Sequence, residues 1–400
     1  MRNVQKKTPT LWLIIVLVGF PQISESIFTP VLPALSQALQ VSASHIQWTM
    51  SSYFVAFAVG VLWWGQLADR IGRRPAMLGG VGLYLLGNLG LLFSPSFGWL
   101  LGFRLLQAFG ASAGSVVTQT IMRESFSGVV GAKIFAQTSA AMALSPALGP
   151  LIGGAMQTLG GYSAVFGTLV VLASAVLGYS ACCLPETRPS QVALTGRQWP
   201  IVHRLLSDPV VWGYGILIGG INGILFSYYA EAPFIFETHF RFSALAYGAL
   251  GLSLAAASLG GALLVSWLLN RWTPEQLVMG GLLLSCGAAL GLWLAAICDT
   301  AWGMVGGFFL VFLGLNIALP NALNRALIGY EDVIGSASGW FSLGYYLLVS
   351  ALTYGMSLLH STSIQRLPVY CLVLVGGMLG VYVGLVPRTR THRLSAESTD

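Results

Sequence analysis

The chain carries twelve runs of about 20 residues that stay apolar throughout, each long enough for a helix to cross a hydrocarbon core of about 30 Å. They fall near 12–33, 47–67, 76–96, 98–121, 134–158, 162–184, 211–234, 246–268, 277–298, 302–324, 334–358 and 368–387. None alternates apolar with polar residues, as a strand of a membrane barrel would. Composition agrees, because charged residues make up only 8% of the 400. A soluble protein uses about 25% to face water. The expectation is an all-α membrane protein with 12 transmembrane helices.

One longer polar segment, 185–210, holds Pro185, Pro189, Pro200 and Pro209 and divides the spans six and six. The chain therefore reads as a six-helix half over 1–184, a linker over 185–210, a second half over 211–387 and a polar tail without regular structure over 388–400. Two six-helix halves can rock against each other around a site near the middle of the membrane. Of the 19 Lys and Arg, only Arg241 and Arg366 fall in loops on one side and only Arg104 inside a span. All the others fall on the side of the termini. Positive residues favour the cytoplasm, so both termini and the linker are expected there. Cleavage of the first run as a signal peptide would leave an odd number of spans and upset this count.

Several function classes drop out. The net charge is +6, but the basic residues sit in short clusters rather than on one face, which excludes a nucleic-acid surface. Five cysteines lack CxxC spacing, so no zinc site or disulfide framework is indicated. No GxxxxGK[ST], GxGxxG or HExxH pattern occurs, and neither an enzyme nor a bound cofactor is expected. Energy for transport would have to come from an ion gradient.

Three strings carry the chemistry. Between the second and third spans stands GQLADRIGRRP, where Gly65 and Gly72 allow tight helix ends, Asp69 can cap a helix or pair with an arginine, and Arg70, Arg73 and Arg74 anchor the loop. Its counterpart in the second half, Leu268 to Trp272, keeps one arginine, Arg271. The fourth span contains Arg104 followed by Gln107 and Gly110. The fifth contains Ser145-Pro146-Ala147-Leu148-Gly149-Pro150-Leu151-Ile152-Gly153-Gly154, in which the prolines bend the helix and the glycines admit a close neighbour.

These strings resemble the loop motif, the RxxQG motif and the GPxxGG motif of the major facilitator superfamily. With Leu184-Pro185-Glu186-Thr187-Arg188 they resemble its drug:proton antiporters of the Bcr/CflA type. The resemblance implies the major facilitator fold, a bacterial inner-membrane location and a monomer. It also implies proton-coupled efflux of small amphipathic compounds, multidrug or phenicol-type. A dedicated exporter of one metabolite, such as a siderophore or sugar, shares the same fold and energetics. An uptake symporter is disfavoured only by the string in the fifth span. The partners are then a small-molecule substrate, protons and the lipid bilayer.

Charges within a membrane cost roughly 2.5–3.5 kcal/mol each, which makes them functional candidates. Glu25 in the first span is expected to carry the coupling proton, with Arg104 as its partner. The resemblance would put an acid one position later, where Ser26 stands. Glu231, near the end of the seventh span, is either an interfacial acid or a second proton-coupling group in the cavity. Arg104 itself either snorkels to the interface or faces the cavity. Tyr53, Phe54, Gln107, Tyr228, Tyr229, Asn316, Asn321, Trp340 and Tyr345 are the candidates for lining a substrate cavity, the aromatics for broad contact and the amides for hydrogen bonds. Trp63, Trp64, Trp199 and Trp302, near span ends, read as interface anchors.

Overall fold

A computed structural model describes residues 8–126, 128–188, 199–330 and 333–397. Side chains past 384, and a few between 128 and 146 including that of Pro146, lie outside the description. The described backbone is helical: α1 (Leu11–Ser26), α2 (Leu32–Ala38), α3 (Ala43–Ile71), α4 (Arg73–Leu92), α5 (Phe97–Ser125), α6 (Gly128–Cys183), α7 (Trp199–Leu206), α8 (Pro209–Pro233), α9 (Ala244–Leu268), α10 (Pro274–Ile297), α11 (Ala301–Ala326), α12 (Ile334–Leu358) and α13 (Arg366–Glu397). No strand occurs among the described residues.

Eleven helical stretches among the described residues are long and apolar enough to cross a membrane, and one of them, Lys133–Cys183, has 51 residues. At about 1.5 Å per residue it would reach ~75 Å, more than twice the hydrocarbon core. Gly160 (φ −153°) and Gly161 (φ 67°) break it where helical dihedrals fail. The stretch is two crossings, and the total is twelve. The first crossing is also broken. The helix stops at Ser26, Thr29–Val31 form a 3₁₀ turn, and α2 restarts at Leu32 with Pro33 in its first turn. Pro30 and Pro33 have no N–H to continue the ladder. The Thr29 hydroxyl donates to the freed Ser26 carbonyl at 3.0 Å.

Polar residues cap the starts of several helices. Ser42 accepts from the His45 N–H and Asp208 from the Val210 N–H, while Thr273 and Gln276 form a capping box on α10. α13 continues as a helix to Glu397, so the tail expected to lack regular structure is helical through that residue.

The chain forms two compact units, Met1–Thr195 with Phe242–Leu252, and Gly196–Arg241 with Ser253–Asp400. In the first, α5 packs against α3, α4 and α1, and α6 covers α1 and α4. In the second, α8 packs against α11, α12 and α13, and α10 against α11 and α13. Large apolar side chains such as Val171, Leu263 and Trp302 remain exposed on both, as lipid-facing surfaces require. Trp63, Trp199 and Trp302 are among the exposed ones. Trp64 is not an interface anchor: it is buried, and its indole N–H donates to the Phe109 carbonyl at 2.7 Å.

Candidate functional site

Arg104 is fully buried inside the first unit, which rules out the snorkelling alternative. Its guanidinium lies 4.4 Å from the Phe28 ring centroid and 4.3 Å from that of Tyr53, a cation held between two aromatic rings. One terminal nitrogen donates to Gln107 Oε1 at 2.5 Å, and the other contacts the Met50 sulfur at 3.9 Å. Gln107 passes the network on, donating to Asn88 Oδ1 at 2.5 Å and to the Ser24 hydroxyl at 3.4 Å. Asn88 is anchored to its own helix through the Tyr84 carbonyl, 3.0 Å away. Arg104 Nε and the hydroxyls of Tyr53 and Tyr84 are buried without a well-formed hydrogen bond.

Glu25 is buried beside this cluster, 7% exposed, at the broken end of α1. It is close enough to feel the charge of Arg104. No contact ion pair joins the two. An uncompensated buried carboxylate is costly, so the pairing expected from sequence is electrostatic rather than a salt bridge. Ser26 has a different task. Its hydroxyl donates to the Gln22 carbonyl at 2.9 Å, and a Cβ on Gly149 would overlap its Oγ. Position 26 is filled by the close approach of α6, and the carboxylate sits one residue earlier.

The glycine string works as the same seam. A Cβ on Gly153 would overlap the Ile27 carbonyl oxygen, and one on Gly154 the Ala244 carbonyl oxygen. That second contact draws Phe242–Leu252 into the first compact unit.

The loop motif is a clasp around a buried arginine. Arg73, 3% exposed, donates to Asp69 at 2.6 Å and with two nitrogens to Glu124 at 3.1 and 2.5 Å. Gly72, with φ 108°, turns the chain between α3 and α4 in a conformation that disfavours a side chain. The Glu186 carboxylate closes the clasp, accepting from the backbone N–H of Arg73, Arg74 and Arg188 at 2.9, 3.1 and 2.9 Å. Burial raises its pKa, but the N–H groups of Arg188, Arg73, Arg74 and Thr187 outweigh that and hold the carboxyl below its usual range. Arg74 donates to the Ala181 carbonyl and Arg188 to the Arg70 carbonyl, each at 2.7 Å.

In the second unit, Tyr228 is buried against Phe308 and Phe312, with centroids at 4.8 and 5.6 Å, and against Tyr229 at 5.9 Å. Asn316 and Asn321 spend their amide N–H on the carbonyls of Phe312 and Ile317 one turn back. Trp340 and Tyr345 are half-buried on α12. Glu231 is 2% exposed, and both its oxygens lie 2.9 and 2.8 Å from His360 Nδ1. It is not the solvated interfacial acid of the first alternative. Sequence reading missed Ser24, Phe28, Tyr84, Asn88 and His360. Asn88, a lone amide in the apolar run of α4, carried a usable signal. His360, between two spans, carried none.

The chain matches the family model described as Major Facilitator Superfamily over residues 12–354. It is 32% identical over 358 residues to a chloramphenicol resistance protein of Pseudomonas aeruginosa, covering 88% of this chain and 85% of that one. It is 29% identical over 396 residues to an uncharacterized transporter of Rickettsia felis, covering 96% and 98%. Its fold is similar to that of a D-xylose-proton symporter with a TM-score of 0.74 at 14% identity, covering 94% of this chain and 97% of that one. On the family match and the helical fold together, the chain belongs to the Major Facilitator Superfamily and is a multi-pass membrane transporter of small molecules, not an enzyme.

Proposed function

We propose that this transporter exports small amphipathic compounds across the bacterial inner membrane in exchange for protons, as a monomer with both termini in the cytoplasm. The observation that carries this reading is the pairing of two unlike charges without contact. Glu25 is buried with no ion pair, and Arg104 is held between rings with its Nε unused. A carboxylate in that setting either takes a proton or is met by a ligand, and the two states exclude each other. Arg104 cannot give up its own charge, so it fixes the field in which Glu25 exchanges its proton. Within the first half, Tyr53 and Phe54 supply apolar area for the substrate and Gln107 a polar contact; Tyr228, Tyr229, Trp340 and Tyr345 are the aromatic candidates of the second half taken by itself. Similarity to a chloramphenicol resistance protein supports the export of drug-like compounds.

The test uses everted membrane vesicles with an acid interior and a pH-sensitive dye. Phenicols, quaternary ammonium dyes, fluoroquinolones and a siderophore are added to wild type and to Glu25→Gln. Proton release by several unrelated compounds, in wild type only, is the expected result. Release by one compound alone would make the protein a dedicated exporter. Normal efflux by Glu25→Gln would remove Glu25 from the mechanism.

A further inference from the structure

The second unit holds a buried acid that the proton exchange at Glu25 does not use. Glu231 lies near the end of α8, 22 residues from Pro209, which places it ~33 Å along the helix from the linker end at 1.5 Å per residue. That is one bilayer core away from α7. Both carboxylate oxygens meet the same nitrogen, His360 Nδ1. Phe234 packs edge-on against the imidazole with centroids 5.2 Å apart. The Glu231 side chain is 3% exposed and that of His360 20%. The acid is sealed, and the imidazole lies between it and water.

Other ionisable groups lie on the elements around this end of α8. On the turn that continues α8, His239 pairs with Asp299 at 2.7 Å, and Glu237 is half-buried. From α13, the Tyr370 hydroxyl donates to the Leu352 carbonyl at 2.7 Å, Cys371 is buried, and Arg366 opens the helix. α12 contributes Tyr354. At the opposite end of the unit, Arg325 pairs with Glu275, and the Tyr330 hydroxyl donates to the Arg204 carbonyl and to the Asp208 carboxylate.

The geometry points to Glu231 and His360 as a second proton-exchange site, loaded at the membrane face opposite the linker, with His360 passing protons between water and the acid. The step balances. The imidazole accepts a proton from water at Nε2 while its Nδ1–H proton passes to the Glu231 carboxylate, leaving a neutral ring and a neutral acid. Discharge passes the Glu231 proton to water on the linker side, and the ring regains its Nδ1–H tautomer by exchanging protons with water at the loading face. Histidine suits this because its ordinary pKa lies near neutrality. His360 is a positioning and relay residue, and Glu231 the group that holds the proton. The inference rests on the proton-coupled reading above, and deepens it by giving each half its own acid.

The full-length protein, reconstituted in liposomes, tests it with a compound that released protons in the vesicle assay. The proton-to-substrate ratio is read from the reversal potential for wild type, Glu231→Gln and Glu231→Asp, each purified as a monodisperse species. Glu231→Gln is expected to lower the ratio by about one proton, as removal of an intramembrane proton carrier should, and Glu231→Asp to keep it. His360→Ala is expected to slow proton uptake from the face opposite the linker, and added imidazole to restore it. An unchanged ratio in Glu231→Gln overturns the site. A His360→Ala rate that is unchanged, or slowed and not restored by imidazole, overturns the relay. Substrate movement by wild type with no proton at all would end the coupling reading first, and this one with it.

Discussion

Each half of the molecule ties the start of one helix to the end of the next by an ion pair, but with the signs exchanged. In the first half Arg73 opens α4 and Glu124 stands near the end of α5. In the second half Glu275 stands at the start of α10 and Arg325 near the end of α11, 2.8 Å apart. A helix N-terminus favours negative charge and a C-terminus positive charge. The second pair is therefore content at each end separately, whereas in the first pair each charge opposes its own helix. The first half compensates by burying the pair, adding Asp69, and bringing Glu186 from beyond α6 to the N–H groups that open α4. α10 needs no such visitor, because Thr273 and Gln276 cap it locally. Both ion pairs join two helices, but the start of α10 is capped by its own residues, whereas the start of α4 depends on a carboxylate from beyond α6.

The acids divide the same way. Glu25 lies in the field of a guanidinium, whereas Glu231 is in direct contact with an imidazole. The largest effect is expected where the charge is fixed. Arg104→Lys should cut proton-coupled efflux by about 100-fold, because an ammonium cannot lie flat between Phe28 and Tyr53 while also bonding Gln107. Initial rates in everted vesicles measure it, and a rate within a few-fold of wild type would mean that charge alone suffices.

The two ion pairs give the next effect. Glu124→Gln leaves Arg73 buried without its main partner and should cost about 3–5 kcal/mol on unfolding in detergent. Glu275→Gln breaks a pair in which both side chains are about a quarter exposed, and should cost about 0.5–1 kcal/mol. The reciprocal exchange Arg73→Glu with Glu124→Arg sharpens the comparison. It gives the first half the polarity of the second, each charge then suits its helix end, and the double variant should be more stable than either single one. Equal costs for Glu124→Gln and Glu275→Gln would break the contrast.

How much of this could be read from the chain depends on the range of the interaction. The crossings are legible because a membrane helix satisfies its backbone within itself, so each apolar run states its own structure. The break at Gly160–Gly161 falls between two such runs, whereas the one at Pro30 lies inside a run read as continuous. The RxxQG string announced Arg104 and Gln107, and the cost of intramembrane charge announced Glu25 and Glu231. What met them was not legible. Asn88 is 19 positions from Gln107, and His360 is 129 from Glu231. Trp64 was misread because span ends and buried helix faces use the same residue, and only the Phe109 carbonyl tells them apart.

The seam between α1 and α6 gives a smaller effect. Gly149→Ala puts a methyl against Ser26 Oγ and the Ile27 backbone, for about 1–3 kcal/mol of overpacking. Ser26→Gly should recover part of that loss by clearing the hydroxyl, while the Ile27 contact keeps the remainder. Thermal unfolding of both single variants and the double variant measures the recovery. Strict additivity would mean the two helices do not meet there.

The smallest expected effect concerns Glu186, and its sign can be worked out. The carboxyl is held below its ordinary range by the N–H groups it accepts from, so the folded clasp prefers the ionised form. In the unfolded chain it titrates near 4.3. Its contribution is then fully present above that value and is lost as the pH falls through the lower folded one. Because Glu186 is largely exposed, the contribution is that of a helix cap in water, about 0.5–1 kcal/mol. Glu186→Gln should therefore melt slightly below wild type at neutral pH, with the gap closing on acidification below about pH 4. α10, whose cap is a threonine and a glutamine, has nothing to titrate, and Thr273→Ala should lower stability by a similar amount at every pH. A pH-independent gap for Glu186→Gln would mean that the side chain serves α4 by its shape and not by its charge.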